Sequence, residues 1–193
     1  MSFWLDKGYA TFLLDYMTPR NASGQDPDIP RSPLDIADAL KVLATHPRID
    51  TGRVAVQSLS NGAAMTIGSG GLIRSRGGRI GIVPKAYIML YGGCDYNLKA
   101  DNISDAAYLF MVGDKDTLIP ATLCTAQETR TTEFGKDVRT IVFPGAYHGF
   151  DGNAVREFQD SRFGPVVIRP NRTARNRARV EAGALLQRVF AGG

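Results

Sequence analysis

Cysteine and histidine are scarce in this sequence, with two of each among 193 residues. Cys94 and Cys124 form no CxxC pair and make no ligand set with His46 and His148, so the pattern argues against a structural metal site. We expect both cysteines to be free thiols in a reducing compartment, with a single disulfide as the alternative. A mechanism that needs an imidazole base has only His46 and His148 to choose from.

Long hydrophobic runs are also absent. No apolar segment approaches the roughly 20 residues that cross a bilayer. Residues 1–7 lack the basic start and the apolar core of a secretion signal. These absences predict a cytoplasmic protein that does not bind membranes. The apolar fraction of 44% is ordinary for a globular protein, so we expect one domain over residues 1–193.

The net charge of +4 raises the question of nucleic-acid binding. Much of the excess lies in residues 169–179, where arginines recur every two to three residues ahead of a helical apolar pattern. That pattern consists of Val180, Ala184, Leu185, Val189 and Phe190. Nucleic-acid binding would require an aromatic or groove-reading element beside the arginines, and the sequence shows no such element. We therefore predict a surface helix with a solvated basic face and no nucleic-acid partner.

Strand-like and helix-like segments alternate along the chain with short connections, which predicts a parallel sheet with helices on its faces. The predicted strands are residues 9–15, 53–57, 86–91, 106–112 and 138–143. One predicted helix starts at Pro33 with Ser32 as its N-cap and ends by Pro47. The others are 61–67, which Gly68-Ser69-Gly70-Gly71 should close, and 121–132.

A candidate nucleophile, Ser60, lies in Ser58-Leu59-Ser60-Asn61-Gly62, directly after a predicted strand. The usual pattern on such a strand-to-helix turn is Gly-x-Ser-x-Gly, and Ser58 replaces the first glycine with another small residue. Serine needs a base within hydrogen-bond reach. His148 follows a predicted strand in a loop of small residues, where parallel sheets place their sites, whereas His46 is expected on the surface near a helix end.

A third group must orient the imidazole, and Asp114 and Asp116 compete for that role after Gly113. Asp114 is also placed to cap or solvate the turn, and the residues alone leave the choice open. Either aspartate gives the chain order serine, acid, histidine, each at the carboxyl end of a predicted strand. This is the order found in α/β-hydrolases.

With these motifs the chain resembles the dienelactone hydrolase family of α/β-hydrolases. The matching stretches are residues 8–15, 18–20, 35–47, 49–54, 58–62, 91–94, 113–116 and 146–150. The resemblance implies a three-layer fold with a mostly parallel sheet of about five strands flanked by helices. In the family the acid follows Gly-x-x, which implies Asp116. With Ser60 the chain resembles the serine branch of the family, and the resemblance implies no catalytic role for Cys94.

The implied reaction is hydrolysis of a small-molecule ester or lactone through an acyl-enzyme, without metal or cofactor. His148 would deprotonate Ser60, and the backbone N–H of Asn61 would donate to the oxyanion. Two alternatives stay open. The chain could be a catalytically silent or incomplete domain that serves binding or assembly, or a related peptidase or acyl-sugar esterase.

The resemblance also implies an N-terminally incomplete copy. In the family, three strands and a loop with a second oxyanion donor precede the segment that begins here at about Gly8. The strands at 9–15 and 53–57 would then lack the strand that separates them. In place of an incomplete copy, those two strands could pair directly in a five-stranded sheet, or a partner chain could supply the missing ones.

Overall fold

A parallel sheet forms the centre of the computed structural model, which describes residues 2–18, 33–96, 98–99 and 103–191, with the side chains of 74–78 left out. Its strands, in spatial order, are β1 (Ala55–Leu59), β2 (Ala86–Leu90), β3 (Ala107–Gly113) and β4 (Val138–Phe143). All three neighbouring pairs are parallel. Every residue of β2 and β3 is buried, which explains their unbroken apolar sequences.

Helices cover both faces of this sheet. They are α1 (Ser2–Leu5), α2 (Pro33–Ala44), α3 (Asn61–Ile80), α4 (Ala121–Thr132) and α5 (Arg172–Phe190). One core cluster joins α2, α3 and Cys124 of α4 to the side chains of one sheet face, such as Tyr87 and Phe110. The other joins α5 to the opposite face, where Ile88 and Met111 point. The predicted three-layer α/β arrangement is confirmed.

The strand predicted over residues 9–15 is wrong, and in the described part of the chain the sheet has four strands where about five were expected. Tyr9 packs with Trp4 against the core under α5, whereas Leu14 and Tyr16 pack against the core on the other face. The segment therefore crosses from one face of the sheet to the other. Within the described residues no ladder joins it to β1, so the direct pairing considered above is not seen.

The glycine-rich stretch expected to close the helix after Ser60 lies inside it, because α3 continues to Ile80. Glycine is a poor helix former, but tertiary packing overrides that preference here. A Cβ on Gly68 would lie 3.0 Å from Cγ of Pro33, so the missing side chain lets α2 approach α3 closely. Ser32, the predicted cap of α2, lies outside the described residues.

The expectation of two free thiols is also wrong. Cys94 and Cys124 form a disulfide, with Cα atoms 4.7 Å apart and both residues buried. Cys94 follows β2, and Cys124 lies in α4, which follows β3. Since β2 and β3 are adjacent and parallel, both segments start from the same edge of the sheet, a proximity that sequence spacing alone does not reveal.

The chain after β4 contains a hairpin that the sequence pattern did not predict, formed by β5 (Arg156–Asp160) and β6 (Gly164–Ile168). β5 is mostly exposed and β6 is mostly half-buried, and neither strand has a clear apolar alternation. The predicted C-terminal helix is confirmed as α5, and of its predicted apolar stripe Leu185, Val189 and Phe190 pack in the core, whereas Val180 and Ala184 are exposed. Val180 is 69% exposed, and Ala174, Ala178 and Ala182 face the sheet instead, where small side chains permit close approach.

None of the helices in the described part of the chain combines the length and the apolar character that crossing a bilayer requires.

Candidate active site

Ser60 occupies a sharp turn between β1 and α3. Its φ of 48° lies in the left-handed region, which is uncommon for a residue other than glycine. The Ser60 N–H donates to the carbonyl of Leu90 at 3.0 Å, and the Ser60 carbonyl accepts from Ala63 N at 2.9 Å. A Cβ on Gly92 would overlap the Ser60 carbonyl oxygen, so this turn requires a glycine on the neighbouring strand end.

Ser58, where the usual pattern has glycine, is tolerated because the turn leaves room for its side chain. Ser58 is 7% exposed, and a Cβ added to Gly62 would still lie 3.8 Å from Cβ of Ser58. Since 3.8 Å is an ordinary van der Waals contact, the start of α3 has room for the Ser58 side chain. The departure from the glycine pattern does not disturb the placement of Ser60.

His148 reaches Ser60 from the loop after β4. Its Nε2 lies 2.8 Å from Ser60 Oγ, and the histidine is 4% exposed. The next residue, Gly149, has a φ of 66°, and a Cβ there would lie 2.7 Å from Cγ2 of Ile168. The His148 carbonyl accepts from Arg169 N at 3.1 Å. The end of the β5–β6 hairpin thus fixes the backbone that carries the imidazole.

Asp116 lies on the other side of the imidazole, with Oδ2 2.9 Å from His148 Nδ1. Its Oδ1 accepts from the N–H groups of Leu118 and Ile119, both at 2.9 Å. Asp116 is 5% exposed, and these three hydrogen bonds offset the cost of burying its charge. Both carboxylate oxygens are therefore held, which fixes the orientation of the side chain.

Asp114, the competing aspartate, is exposed and accepts from Gly145 N at 2.7 Å. It therefore holds the turn that leads toward His148 and makes no contact with the imidazole itself. The structure brings Ser60, His148 and Asp116 together in one hydrogen-bonded row, and it separates Asp114 from that row.

Asn61 is the first residue of α3. The first N–H groups of a helix have no intrahelical acceptor, and the helix dipole adds partial positive charge at this end. The Asn61 N–H therefore lies at the N-terminal end of a 20-residue helix, one residue after Ser60. Its role toward an oxyanion stays a prediction.

His46 lies apart from this site. It is exposed just beyond the end of α2, where its Nδ1 accepts from Arg48 N at 3.3 Å. This matches the surface position expected for it.

Sequence reasoning missed Tyr91, which lies against the imidazole, and Asp151, which accepts from the Tyr91 hydroxyl. The ring centroids of Tyr91 and His148 are 4.8 Å apart with the planes at 61°, and the Tyr91 hydroxyl donates to Asp151 Oδ1 at 2.5 Å. Burial and the nearby Asp151 carboxylate raise the pKa of Tyr91 above its ordinary value, so the phenol stays protonated. The available signal was the position of Tyr91 at the end of a strand, beside Gly92 and Gly93.

Comparison with known proteins shows which family the chain resembles. The model of the dienelactone hydrolase family matches residues 22–186. A comparison with curated proteins gave no match.

Several solved structures share the fold at low sequence identity. A dienelactone hydrolase-like promiscuous phosphotriesterase from metagenomic libraries is 18% identical with a TM-score of 0.61, covering 80% of this chain and 60% of its own. An α/β-hydrolase enzyme from a Medee basin deep-sea metagenome library is 17% identical with a TM-score of 0.63, covering 98% and 75%. A carboxylesterase from Lactobacillus plantarum WCFS1 is 11% identical with a TM-score of 0.60, covering 86% and 70%.

This chain therefore spans 60% of the length of the phosphotriesterase. At these identities the three structures establish the fold and leave the activity open. The match of the family model over residues 22–186, most of the chain, decides the assignment. The chain belongs to the dienelactone hydrolase family.

Proposed function

We propose that this protein is a serine hydrolase that cleaves a small-molecule ester or lactone through an acyl-enzyme. The observation that carries the proposal is the hydrogen-bonded row of Ser60, His148 and Asp116, with spacings of 2.8 and 2.9 Å. A serine hydroxyl, an imidazole and a buried carboxylate in this order form the arrangement that activates serine as a nucleophile. The proposed partner is this small-molecule substrate, and we propose no nucleic-acid or membrane partner.

In the first step, Ser60 Oγ attacks the carbonyl carbon while His148 Nε2 takes the hydroxyl proton. The carbonyl electrons move onto the oxygen, and the Asn61 N–H donates to the resulting oxyanion. When the tetrahedral intermediate collapses, the bond to the leaving oxygen breaks, and the imidazolium returns its proton to that oxygen. The Asp116 carboxylate stabilises the imidazolium between these two transfers.

In the second step, His148 takes a proton from water, which attacks the acyl carbon. Collapse of this second intermediate releases the acid and restores the Ser60 hydroxyl. α/β-Hydrolases use a second oxyanion donor from a loop after their third strand, whereas among the described residues we propose only the donor on Asn61. Each such donor is worth on the order of 10²–10³ in turnover.

The test is covalent labelling of Ser60 with a fluorophosphonate, mapped by mass spectrometry. A related structure, Thermogutta terrifontis esterase 2 phosphorylated by paraoxon, supports an organophosphorus probe for this fold. We expect labelling at Ser60 in the wild type and its loss in Ser60→Ala and His148→Ala. Ser58→Ala is the matched control, since it removes a buried serine hydroxyl two residues away.

An unlabelled wild type that still melts cooperatively would contradict the proposal. It would favour the alternative of a silent domain that serves binding or assembly. Labelling that persists in His148→Ala would show a reactive serine but would reject the imidazole as its base.

A further inference from the structure

Tyr91 has a backbone conformation that is costly for a bulky residue. Across the described residues, only Ser60 and Tyr91 combine a positive φ with a side chain other than glycine, with values of 48° and 42°. They follow the ends of neighbouring strands, β1 and β2. Such conformations persist where the surrounding structure holds them, and they cluster at functional sites. The contacts of the Tyr91 side chain should therefore show which residues hold this backbone conformation.

The two ends of the Tyr91 side chain contact the same turn, residues 148–151. The ring lies edge to face with the imidazole of His148 and with Phe150, at centroid distances of 4.8 and 5.3 Å. The hydroxyl donates to Asp151 Oδ1 at 2.5 Å. Tyr91 itself is 6% exposed, whereas Asp151 is half-buried. One side chain thus connects the end of β2 to the segment that carries the imidazole.

We propose that Tyr91 and Asp151 are a positioning pair for His148, in which their hydrogen bond keeps the phenol ring against the imidazole and so keeps Nε2 on Ser60 Oγ. The proposal rests on the proposed function of Ser60 and His148. Neither Tyr91 nor Asp151 contacts the reacting atoms, so both act through His148.

The imidazole needs this support because Asp116 holds only one of its atoms. A single hydrogen bond at Nδ1 leaves the ring free to tilt about that contact, and a tilt moves Nε2 away from the serine. In the acyl-enzyme, the Ser60 oxygen has lost its proton and no longer donates to Nε2. During that step, Asp116 and the ring contacts hold the imidazole for the attacking water. Misplacement of about 1 Å in such a site costs up to about 10²-fold in rate.

The experiment uses variants that separate the hydroxyl, the carboxylate and the ring. Tyr91→Phe keeps the ring and removes the hydroxyl. Asp151→Ala removes the acceptor, and Asp151→Asn restores an acceptor of similar shape. Tyr108→Phe is the matched control, since its hydroxyl is also buried and hydrogen-bonded, to Ser104 at 2.8 Å, but in the core on the other face of the sheet.

Three readouts are measured on each variant: kcat and KM for an activated ester, the nitrogen NMR resonances of the imidazoles, and the thermal midpoint. His46 is the internal reference for the NMR spectra, because the chain has two histidines and His46 is exposed. We expect Tyr91→Phe and Asp151→Ala to lower kcat about tenfold with KM unchanged. Both should shift the His148 resonances and leave those of His46 in place, and Asp151→Asn should recover part of the loss.

Tyr108→Phe should lower the thermal midpoint without changing kcat or the His148 resonances. The proposal is overturned if Tyr91→Phe and Asp151→Ala leave the His148 resonances as in the wild type. It is also overturned if Tyr108→Phe lowers kcat as much as Tyr91→Phe, since the effect would then follow from stability alone. If Tyr91→Phe fails to fold, the Asp151 variants decide the question.

Failure of the proposed function looks different from failure of this inference. A wild type with no reactivity at Ser60 would reject the hydrolase, while the His148 resonances of the variants would still report whether the pair positions the imidazole.

Discussion

Loss of the Cys94–Cys124 disulfide should destabilise the fold by about 3–4 kcal/mol. The two cysteines are 30 residues apart in the chain. In the chain-entropy account, a bond that closes a loop of that length removes about 3.6 kcal/mol of conformational freedom from the unfolded chain at 25 °C. For a chain of this size, each kcal/mol changes the melting temperature by about 2–4 °C. The expected fall is therefore about 6–16 °C.

The assay compares oxidised wild type, wild type unfolded and refolded in reductant, and Cys94→Ala/Cys124→Ala. The reduced wild type is the matched control, because it keeps both buried sulfur atoms and loses only the bond. Each form is unfolded in urea, and the free energies of unfolding are compared. The disulfide also changes how much surface the unfolded chain exposes, so urea midpoints alone would mislead.

Equal free energies of unfolding for the oxidised and reduced wild type would refute this reasoning. So would alkylation of both cysteines in the unfolded protein without reductant, because it would show that the bond does not form. A larger loss in the double alanine variant than in the reduced protein is expected, since that variant also leaves space where the sulfur atoms packed.

Three further predictions concern the site. Asp116→Asn should lower ester turnover by about 10⁴-fold, as in other serine triads, while thermal melting shows a folded protein. Asp114→Ala should retain most of the turnover and lose about 1 kcal/mol in urea unfolding, because it removes only the acceptor for Gly145 N. Equal turnover in these two variants would reject the assignment of the acid. Gly92→Ala should abolish fluorophosphonate labelling, because its Cβ would overlap the Ser60 carbonyl oxygen; a fully labelled variant would show that the turn adapts.

The elements that the sequence predicts well are those whose own residues determine them. Strand β4 and helix α4 have the predicted bounds, and β2 differs by one residue at its end. β2 is an apolar run, β4 is rich in β-branched residues, and α4 starts directly after Pro120. Local signals were sufficient because nothing in the surroundings opposed them.

The elements that the sequence misjudged depend on distant partners. Residues 9–15 have the composition of a strand, but a strand forms only beside another one, and this segment wraps around the sheet. The glycines of α3 weaken a helix in isolation, but Gly68 is favourable where Pro33 packs against it. The disulfide forms because β2 and β3 are parallel neighbours in the sheet, which brings Cys94 after β2 close to Cys124 in the helix after β3.

The candidate site was predictable for a topological reason. Parallel strands direct their carboxyl ends to one edge of the sheet, so residues that follow three such strands meet there. This logic located Ser60 and His148, and the family resemblance chose Asp116. The same logic could not locate Tyr91 or Asp151. Their contact depends on the left-handed backbone at Tyr91, which a tyrosine in the sequence does not predict.

The hydrogen bond between Ser60 and His148 joins residues 88 positions apart, and it has a consequence for folding. Contacts so distant in sequence form late, after the intervening strands have paired, because closing a long loop costs entropy before the contact compensates for it. If Ser60 is the nucleophile proposed above, its reactivity should therefore appear only in molecules whose sheet is complete from β1 to β4. A fluorophosphonate added at successive times during refolding would label the fraction of molecules with a complete sheet. The rise of that fraction with time would give the rate of the last folding step.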